Sequence, residues 1–210
     1  PGTAMACFNN SGQICAAGTR LFVQRNIYNE FVERVADFAK GLRVGDSMDP
    51  STQIGPIVSQ QQLNRVTSYL AAGQDEGARA AAGGSRITEG PLANGFFVQP
   101  TVFANVNDDM KIARDEIFGP VLSALPFDTV DEVLARSNDT FYGLGSYVWT
   151  RDLGKAHKLA RGLQAGSVWI NCRMTVDPAV PFGGYKMSGA GREFGIHSLD
   201  EYLNIKAVWI

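Results

Sequence analysis

One cysteine follows a run of polar and flexible residues near the start of the sequence. The stretch "FNNSGQICAAGTR", residues 8–20, places Cys15 after Asn, Ser, Gly and Gln. A cysteine nucleophile needs its thiolate, and a thiol with a reference pKa of ~8.5 reaches that form near backbone N–H groups, a helix N-terminus or a positive charge. Ala16-Ala17 can begin a helical turn whose N–H groups would point at the sulfur and at an oxyanion formed on it. The alternative is a small buried apolar residue, the usual role of an intracellular cysteine.

The other thiols and the imidazoles carry weaker signals. Cys7 lies in the apolar stretch "AMACF" and is expected in the core, whereas Cys172 follows a buried strand and is expected near a site without reacting. Three cysteines without C-x-x-C spacing favour free thiols in a reducing compartment. His157 and His197 have no partner at metal-site spacing, so we expect no metal site and a structural role for each.

Two acidic residues stand before an aromatic residue and a Gly-Pro break in "RDEIFGPV". One interpretation is a helix end followed by a turn, with Asp115 and Glu116 solvated. The other is a carboxylate that accepts hydrogen bonds from the hydroxyls of a ligand, beside a Phe that stacks on it.

Composition excludes several classes of partner. The chain has 210 residues, 45% apolar and 19% charged, with 19 Lys and Arg against 21 Asp and Glu scattered along it. No basic stripe is present for nucleic acid, and no apolar run approaches the ~20 residues that span a bilayer. We therefore expect a folded, cytoplasmic protein with a small-molecule partner. Because it opens on Pro1-Gly2, we expect a piece of something longer.

The elements that must position these residues follow from periodicity. Apolar residues at steps of three and four predict an amphipathic helix over 27–42, and a weaker stripe predicts another from Leu63 to Leu70. From Val121 onward, "VLSALPF", "GSYVWT" and "GSVWIN" read as strands separated by helices, the first of which opens at a capping box, Thr129 with Glu132. This order predicts an α/β domain with a parallel sheet between helices.

Ligands in such sheets bind at the carboxyl ends of the strands. Asn171 and Cys172 lie at such an end, followed by a long loop up to Gly195. A loop of that length inside a compact domain is usually functional. The tail "EYLNIKAVWI" predicts a final strand, at a sheet edge or paired with another subunit.

Several segments together resemble the NAD(P)-dependent aldehyde dehydrogenases. "NNSGQICAAGTR", "GFFVQPTVF", "RDEIFGPV", "GSVWINC" and "PFGGYKMSGAGREFG" occur in the order and approximate spacing of that family, over nearly all of the chain. The resemblance implies a three-layer αβα catalytic domain over residues 1–203 and an oligomerisation strand over 204–210. It also implies that a dinucleotide-binding domain precedes this segment and is absent from it.

The resemblance further implies a mechanism. Cys15 attacks an aldehyde, its backbone N–H holds part of the oxyanion, a hydride passes to the nicotinamide, and the resulting thioester is hydrolysed to the acid. Among the cofactor-binding positions, Glu116 matches the ribose ligand, Phe118 the aromatic that positions the nicotinamide, and Gln62 and Arg65 match, less securely, positions near the adenosine. The substrate-binding positions are Ile14, Met174, Val176 and Phe182.

The resemblance also gives expectations for the cofactor, the substrate and the oligomeric state. NAD is favoured, although the choice against NADP is made in the absent domain, and a homodimer or homotetramer is expected. The loop "VDPAVPFGG" is similar to that of members acting on aromatic aldehydes such as phenylacetaldehyde, whereas Arg173 at the rim would favour a negatively charged aldehyde. Because the preceding domain would bring the general base, the isolated chain is expected to be inactive.

Two rival functions stay open. The first is a cofactor-free thiol hydrolase or acyltransferase, which needs a base beside Cys15 and would usually take a His. The second is a noncatalytic assembly module in which the last strand docks on a partner subunit. An unreactive, buried Cys15 would favour the second.

Overall fold

The computed structural model describes all 210 residues and divides them into two compact units. The first comprises Pro1–Arg136 and the second Ser137–Ile210. Each unit has its own β-sheet, and each is described by itself.

The first unit is built on a four-stranded sheet in the order β1-β4-β3-β2. Its strands are β1 (Arg20–Gln24), β2 (Arg79–Ala82), β3 (Thr101–Ala104) and β4 (Val121–Phe127). Strand β4 pairs in parallel with β1 on one side and β3 on the other, and β2 closes the edge antiparallel to β3. The central strand β4 is buried on both faces, which explains its uninterrupted apolar sequence.

Helices cover both faces of this sheet. The helices α1 (Gly2–Phe8) and α2 (Tyr28–Lys40) share one apolar cluster with Leu122 and Ala124 of β4. The helices α3 (Gln60–Asp75) and α4 (Lys111–Arg114) share the other with Val121 and Leu125. Because side chains alternate across a strand, consecutive residues of β4 serve opposite layers. The predicted αβα layering is therefore confirmed in this unit.

The predicted helix starts are also found. Helix α2 begins at Tyr28, close to the predicted position, and buries one apolar stripe. Helix α5 (Val130–Asn138) opens at the predicted capping box, where the Glu132 N–H donates to Thr129 Oγ1 at 3.2 Å and the Thr129 N–H donates back to Glu132 Oε2 at 3.4 Å. Such reciprocal bonds satisfy N–H groups that the helix leaves without partners.

The second unit contains one parallel strand pair joined by a helix. Its strands are β5 (Gly145–Val148) and β6 (Ser167–Ile170), connected through α6 (Leu153–Gly162). The Tyr147 and Trp169 rings stack across the pair with centroids 5.0 Å apart. Beyond the strands, the Asn171 amide donates to the Thr150 carbonyl and accepts from the Thr150 N–H, at 2.8 and 2.9 Å.

Two sequence expectations differ from the structure. The strands from Val121 onward do not share a single sheet, because β4 belongs to the four-stranded sheet and β5 and β6 form a separate pair. The predicted C-terminal strand is not confirmed, since residues 203–210 have no regular secondary structure within this chain and are exposed. A strand requires backbone hydrogen bonds to a neighbouring strand, and the chain supplies none to this tail.

None of the helices combines the length and the apolar content that crossing a membrane requires.

Candidate active site

The cysteine turn begins with an unusual backbone. Asn10, Ser11 and Gly12 are consecutive residues in the left-handed region, with φ of 50°, 58° and 70°. Residues with a Cβ adopt this region rarely, and such backbone concentrates at functional sites. The Asn10 side chain stabilises the turn by donating to the Gln13 carbonyl at 3.1 Å.

Cys15 lies in the next turn, with its thiol exposed. The Ala17 N–H donates to the Ile14 carbonyl at 3.0 Å, so residues 14–17 form a single β-turn. The expected helical turn from Ala16-Ala17 is therefore wrong: after this one turn the chain runs directly into β1. No group of the chain accepts a hydrogen bond from the Cys15 backbone N–H, and the Ile14 side chain is half-buried beside it in sequence.

Polar side chains fasten this loop to the segment that leads into α3. The Ser11 hydroxyl donates to the Gly55 carbonyl at 2.9 Å. The Gln13 amide donates to the Pro56 carbonyl at 3.3 Å and accepts from the Val58 N–H at 2.9 Å. These bonds tie the turn to residues more than 40 positions away in the sequence. The sequence analysis did not identify Gln13 as a residue that holds the loop. Its only signal in the sequence is its position in the polar run before Cys15.

The loop also packs on the segment that contains Glu116 and Phe118. A Cβ placed on Gly12 would lie 2.0 Å from the Gly119 carbonyl oxygen, so the two backbones touch. The structure thus brings together two motifs that stand more than 100 residues apart in the sequence. Phe118 is half-buried with φ of 57°, and Glu116 is exposed.

Helix α3 contributes the donors that hold this second segment. The Gln62 amide donates to the carbonyls of Ile117 and Phe118, both at 2.9 Å, and the Arg65 guanidinium donates to the carbonyl of Glu116. Both residues, expected near an adenosine, therefore lie against the Glu116–Phe118 backbone. Their role towards a cofactor stays a prediction.

The two acidic residues before the aromatic have different surroundings. The Asp115 carboxylate accepts a hydrogen bond from the Tyr69 hydroxyl at 2.9 Å. The Glu116 carboxylate makes neither a hydrogen bond nor an ion pair within the chain, and only its backbone carbonyl is engaged. Of the two, Glu116 has the oxygens available for hydroxyl groups of a ligand.

The three thiols differ in exposure. Cys7 is completely buried in the cluster under α1, and its Sγ lies 3.4 Å from the Val121 carbonyl oxygen. Burial raises the pKa of the Cys7 thiol far above its usual value because the thiolate would lose its hydration. The core role expected for Cys7 is confirmed, whereas Cys15 and Cys172 are exposed.

The remaining predicted substrate residues belong to the second unit. Met174 and Val176 are exposed on the loop after β6, beside the exposed Arg173. The Trp169 indole N–H anchors this loop by donating to the Thr175 carbonyl at 3.0 Å. Phe182 is half-buried and exchanges two backbone hydrogen bonds of 2.7 Å with Glu193.

A comparison with protein families matches nearly the whole chain. The model of the aldehyde dehydrogenase family matches residues 1–208. The chain belongs to the aldehyde dehydrogenase family. The Cys15 turn and the Glu116–Phe118 segment, which resemble two motifs of that family, are in direct contact in this chain.

Individual relatives cover the whole chain. It is 50% identical to the putative aldehyde dehydrogenase DhaS of Bacillus subtilis over 210 residues, and 46% identical to the betaine aldehyde dehydrogenase of Mesorhizobium japonicum over 209. A variant of the P. syringae indole-3-acetaldehyde dehydrogenase AldA, solved with NAD+ and IAA, superposes with a TM-score of 0.94 and is 46% identical. This aldehyde dehydrogenase chain is covered completely in all three, and it spans 42%, 43% and 42% of their respective lengths.

Proposed function

We propose that this chain carries the nucleophile and part of the nicotinamide site of an enzyme that oxidises an aldehyde to its carboxylic acid with NAD. The observation that carries this proposal is the contact between the Cys15 loop and the Glu116–Phe118 segment through Gly12 and Gly119. That contact joins the loop that carries an exposed thiol to the segment that carries an exposed carboxylate and a half-buried aromatic ring, which supports the proposal.

The chemistry of Cys15 follows from its turn. Its thiolate attacks the carbonyl carbon of the aldehyde, a C–S bond forms, and the carbonyl oxygen becomes an oxyanion. The Cys15 N–H, which has no acceptor within the chain, is the donor for that oxygen. After hydride leaves the same carbon, water cleaves the thioester, which releases the acid and restores the thiol.

The residues around Phe118 fit a nicotinamide nucleotide. Glu116 offers two carboxylate oxygens to the ribose hydroxyls, and the half-exposed Phe118 ring offers an apolar edge for the nicotinamide. NAD, when bound, supplies the hydride acceptor. The NAD+ in the solved relative supports this choice of cofactor.

For the substrate we propose an aromatic aldehyde of the phenylacetaldehyde type. The apolar residues Met174, Val176 and Phe182 of the second unit support it, as does the name of one relative, an indole-3-acetaldehyde dehydrogenase. A betaine aldehyde dehydrogenase is as similar, so betaine aldehyde belongs in the substrate panel. Because Arg173 is cationic, a preference for succinic semialdehyde over phenylacetaldehyde would contradict the proposal.

Neither rival function is favoured by the structure. A hydrolase would need an imidazole beside Cys15. The unit that contains Cys15 has no His, so His157 or His197 would have to supply the base. An idle, buried thiol would favour an assembly module, and Cys15 is exposed.

The test uses both the chain and a chimera. Because the resemblance places the dinucleotide-binding domain before this segment, we would join the part of Bacillus subtilis DhaS that the chain does not span in front of Pro1. The chimera is expected to form NADH with phenylacetaldehyde, and the 210 residues alone are expected to form none. The Cys15→Ala chimera should be inactive, while Cys172→Ala, which alters the other exposed thiol, should retain activity.

Three results would contradict this proposal. They are steady-state NADH formation by the isolated chain, activity that survives Cys15→Ala, and an inactive chimera that is nevertheless folded. Before kinetics, iodoacetamide labelling with peptide mass analysis reports whether Cys15 reacts faster than Cys172. Equal, slow labelling of both would favour the assembly module.

A further inference from the structure

The start of helix α3 carries half of a capping box. Ser59 and Gln62 have the S-x-x-Q spacing, and the Gln62 N–H donates to the Ser59 hydroxyl at 3.2 Å. In a complete box the N3 side chain would accept from the N-cap backbone N–H. Here that second bond is not made, because the Gln62 amide is directed to the carbonyls of Ile117 and Phe118.

The segment that receives these bonds has few others. Glu116, Ile117 and Phe118 take part in no backbone–backbone hydrogen bond. The side chains of Gln62 and Arg65 supply the hydrogen bonds that their three carbonyls accept. Of the three side chains only that of Ile117 is buried, so packing against the core fixes the segment at this residue alone.

The same segment has a backbone that needs support. Phe118 has φ of 57°, a region that a bulky residue with a Cβ adopts rarely and that persists only where the surroundings enforce it. The Gln62 amide donates to the carbonyls on both sides of the Phe118 Cα. These two bonds fix the two peptide planes whose relative orientation defines the backbone conformation of Phe118. Those planes set the direction in which the Cα–Cβ bond of Phe118 leaves the backbone.

We propose that Gln62 is a positioning residue, which holds the Glu116–Phe118 backbone so that the carboxylate and the ring present themselves to the nicotinamide nucleotide. The inference rests on the proposed function for the identity of the ligand. It assigns Gln62 a role through the backbone of the clamp, rather than a direct contact with the adenosine.

The variant Gln62→Glu separates this role from helix stability. Glutamate keeps the size of the side chain and completes the capping box with Ser59, so α3 is preserved. A carboxylate cannot donate to the two carbonyls, so both bonds are lost. Gln61→Glu is the matched control, because Gln61 precedes it in the same turn and its exposed side chain makes no hydrogen bond. Gln62→Met removes the donors without adding charge and should act in the same direction as Gln62→Glu.

The first readout is the backbone order of the segment in the 210-residue chain, measured by NMR relaxation of its amides. Residues 116–119 are expected to show lower order parameters in Gln62→Glu and Gln62→Met than in Gln61→Glu, because the bonds that hold the carbonyls of the segment are lost. The amides of β4 should show the same order parameters in all variants. Equal order parameters over 116–119 in Gln62→Glu and Gln61→Glu overturn the positioning role, whatever the activity of the protein.

The second readout is the kinetics of the chimera. Gln62→Glu is expected to raise the KM for NAD roughly tenfold, with the KM for phenylacetaldehyde unchanged, because the lost contacts act on the cofactor clamp. A variant that lowers only the amount of folded protein would leave both KM values unchanged, and that result overturns the positioning role. An inactive parent chimera contradicts the proposed function instead, and the order parameters of residues 116–119 then decide the role of Gln62 by themselves.

Discussion

Gly12 and Gly119 touch through their backbones, so that any side chain at position 12 would collide with the carbonyl of Gly119. This contact joins the cysteine turn to the segment of Glu116 and Phe118. Gly12 satisfies two requirements at once, because its φ of 70° also favours a residue without a Cβ. The site therefore depends on a glycine that carries no chemistry of its own.

Gly12→Ala is expected to lower the free energy of unfolding by more than about 2 kcal/mol, since the strain of a left-handed alanine adds to the collision. Gly77→Ala is the matched control, because Gly77 has φ of 93° and open space around it, and its cost should be about 1 kcal/mol. Urea unfolding measures both. Equal losses would mean that the Gly12–Gly119 contact is not tight in solution.

Burial of Cys7 predicts a loss of stability in alkali. A thiol whose pKa is raised in the folded state stabilises the fold fully below its unfolded pKa of ~8.5, and this contribution is lost as the pH rises above that value. The free energy of unfolding should fall by about 1.4 kcal/mol per pH unit in this window because of Cys7 alone. Cys7→Ala should remove that slope, whereas Cys172→Ala, a change at an exposed thiol, should leave it.

Arg136 connects the end of the sheet to α5. Its guanidinium donates to Asp108 at 2.6 Å and to Glu132 and the Pro126 carbonyl at 2.7 Å, and it is only 22% exposed. Arg136→Met should cost roughly 2 kcal/mol, because it leaves partly buried acceptors without a donor. Arg25→Met, which breaks an exposed ion pair with Asp128, should cost less than about 1 kcal/mol. Similar thermal shifts for the two variants would contradict the difference.

Glu132 makes the free energy of unfolding depend on pH in the acidic range. Its pKa is lowered, first by the Asp128 backbone N–H and then by Arg136, so its stabilising contribution is present above the unfolded pKa and is lost as the pH falls through the folded value. Glu132→Gln should show a smaller loss of stability between about pH 6 and about pH 3 than the parent protein. Parallel pH profiles for Glu132→Gln and the parent would oppose this assignment.

Deletion of the C-terminal tail is expected to weaken association of subunits without lowering the stability of the fold. Residues 204–210 are exposed, and Ile205, Val208 and Trp209 present apolar surface. We propose that the tail pairs with another subunit, so its deletion should reduce the oligomer seen in sedimentation and leave the unfolding midpoint of the monomer unchanged. Replacing Lys206 by Ser, a polar change in the same tail, should not alter the oligomer. An oligomer that persists after the deletion would place the interface elsewhere.

The sequence determined the local elements and the candidate chemistry of this protein. The stripe of α2, the capping box at Thr129 and the apolar run of β4 act over neighbouring residues, so periodicity and cap chemistry predict them. The family motif around Cys15 and the buried role of Cys7 were also readable from their neighbours in the sequence. These features need no partner from a distant part of the chain.

The tertiary structure decided which strands share a sheet, which motifs touch, and where the side chains of α3 are directed. Ser59 and Gln62 have the spacing of a capping box, yet the Gln62 amide binds carbonyls 55 and 56 residues further along the chain. The tail reads locally as a strand, yet no strand of the chain pairs with it. In each case a local pattern offers several hydrogen-bond partners of similar strength, and the packing of distant segments selects among them.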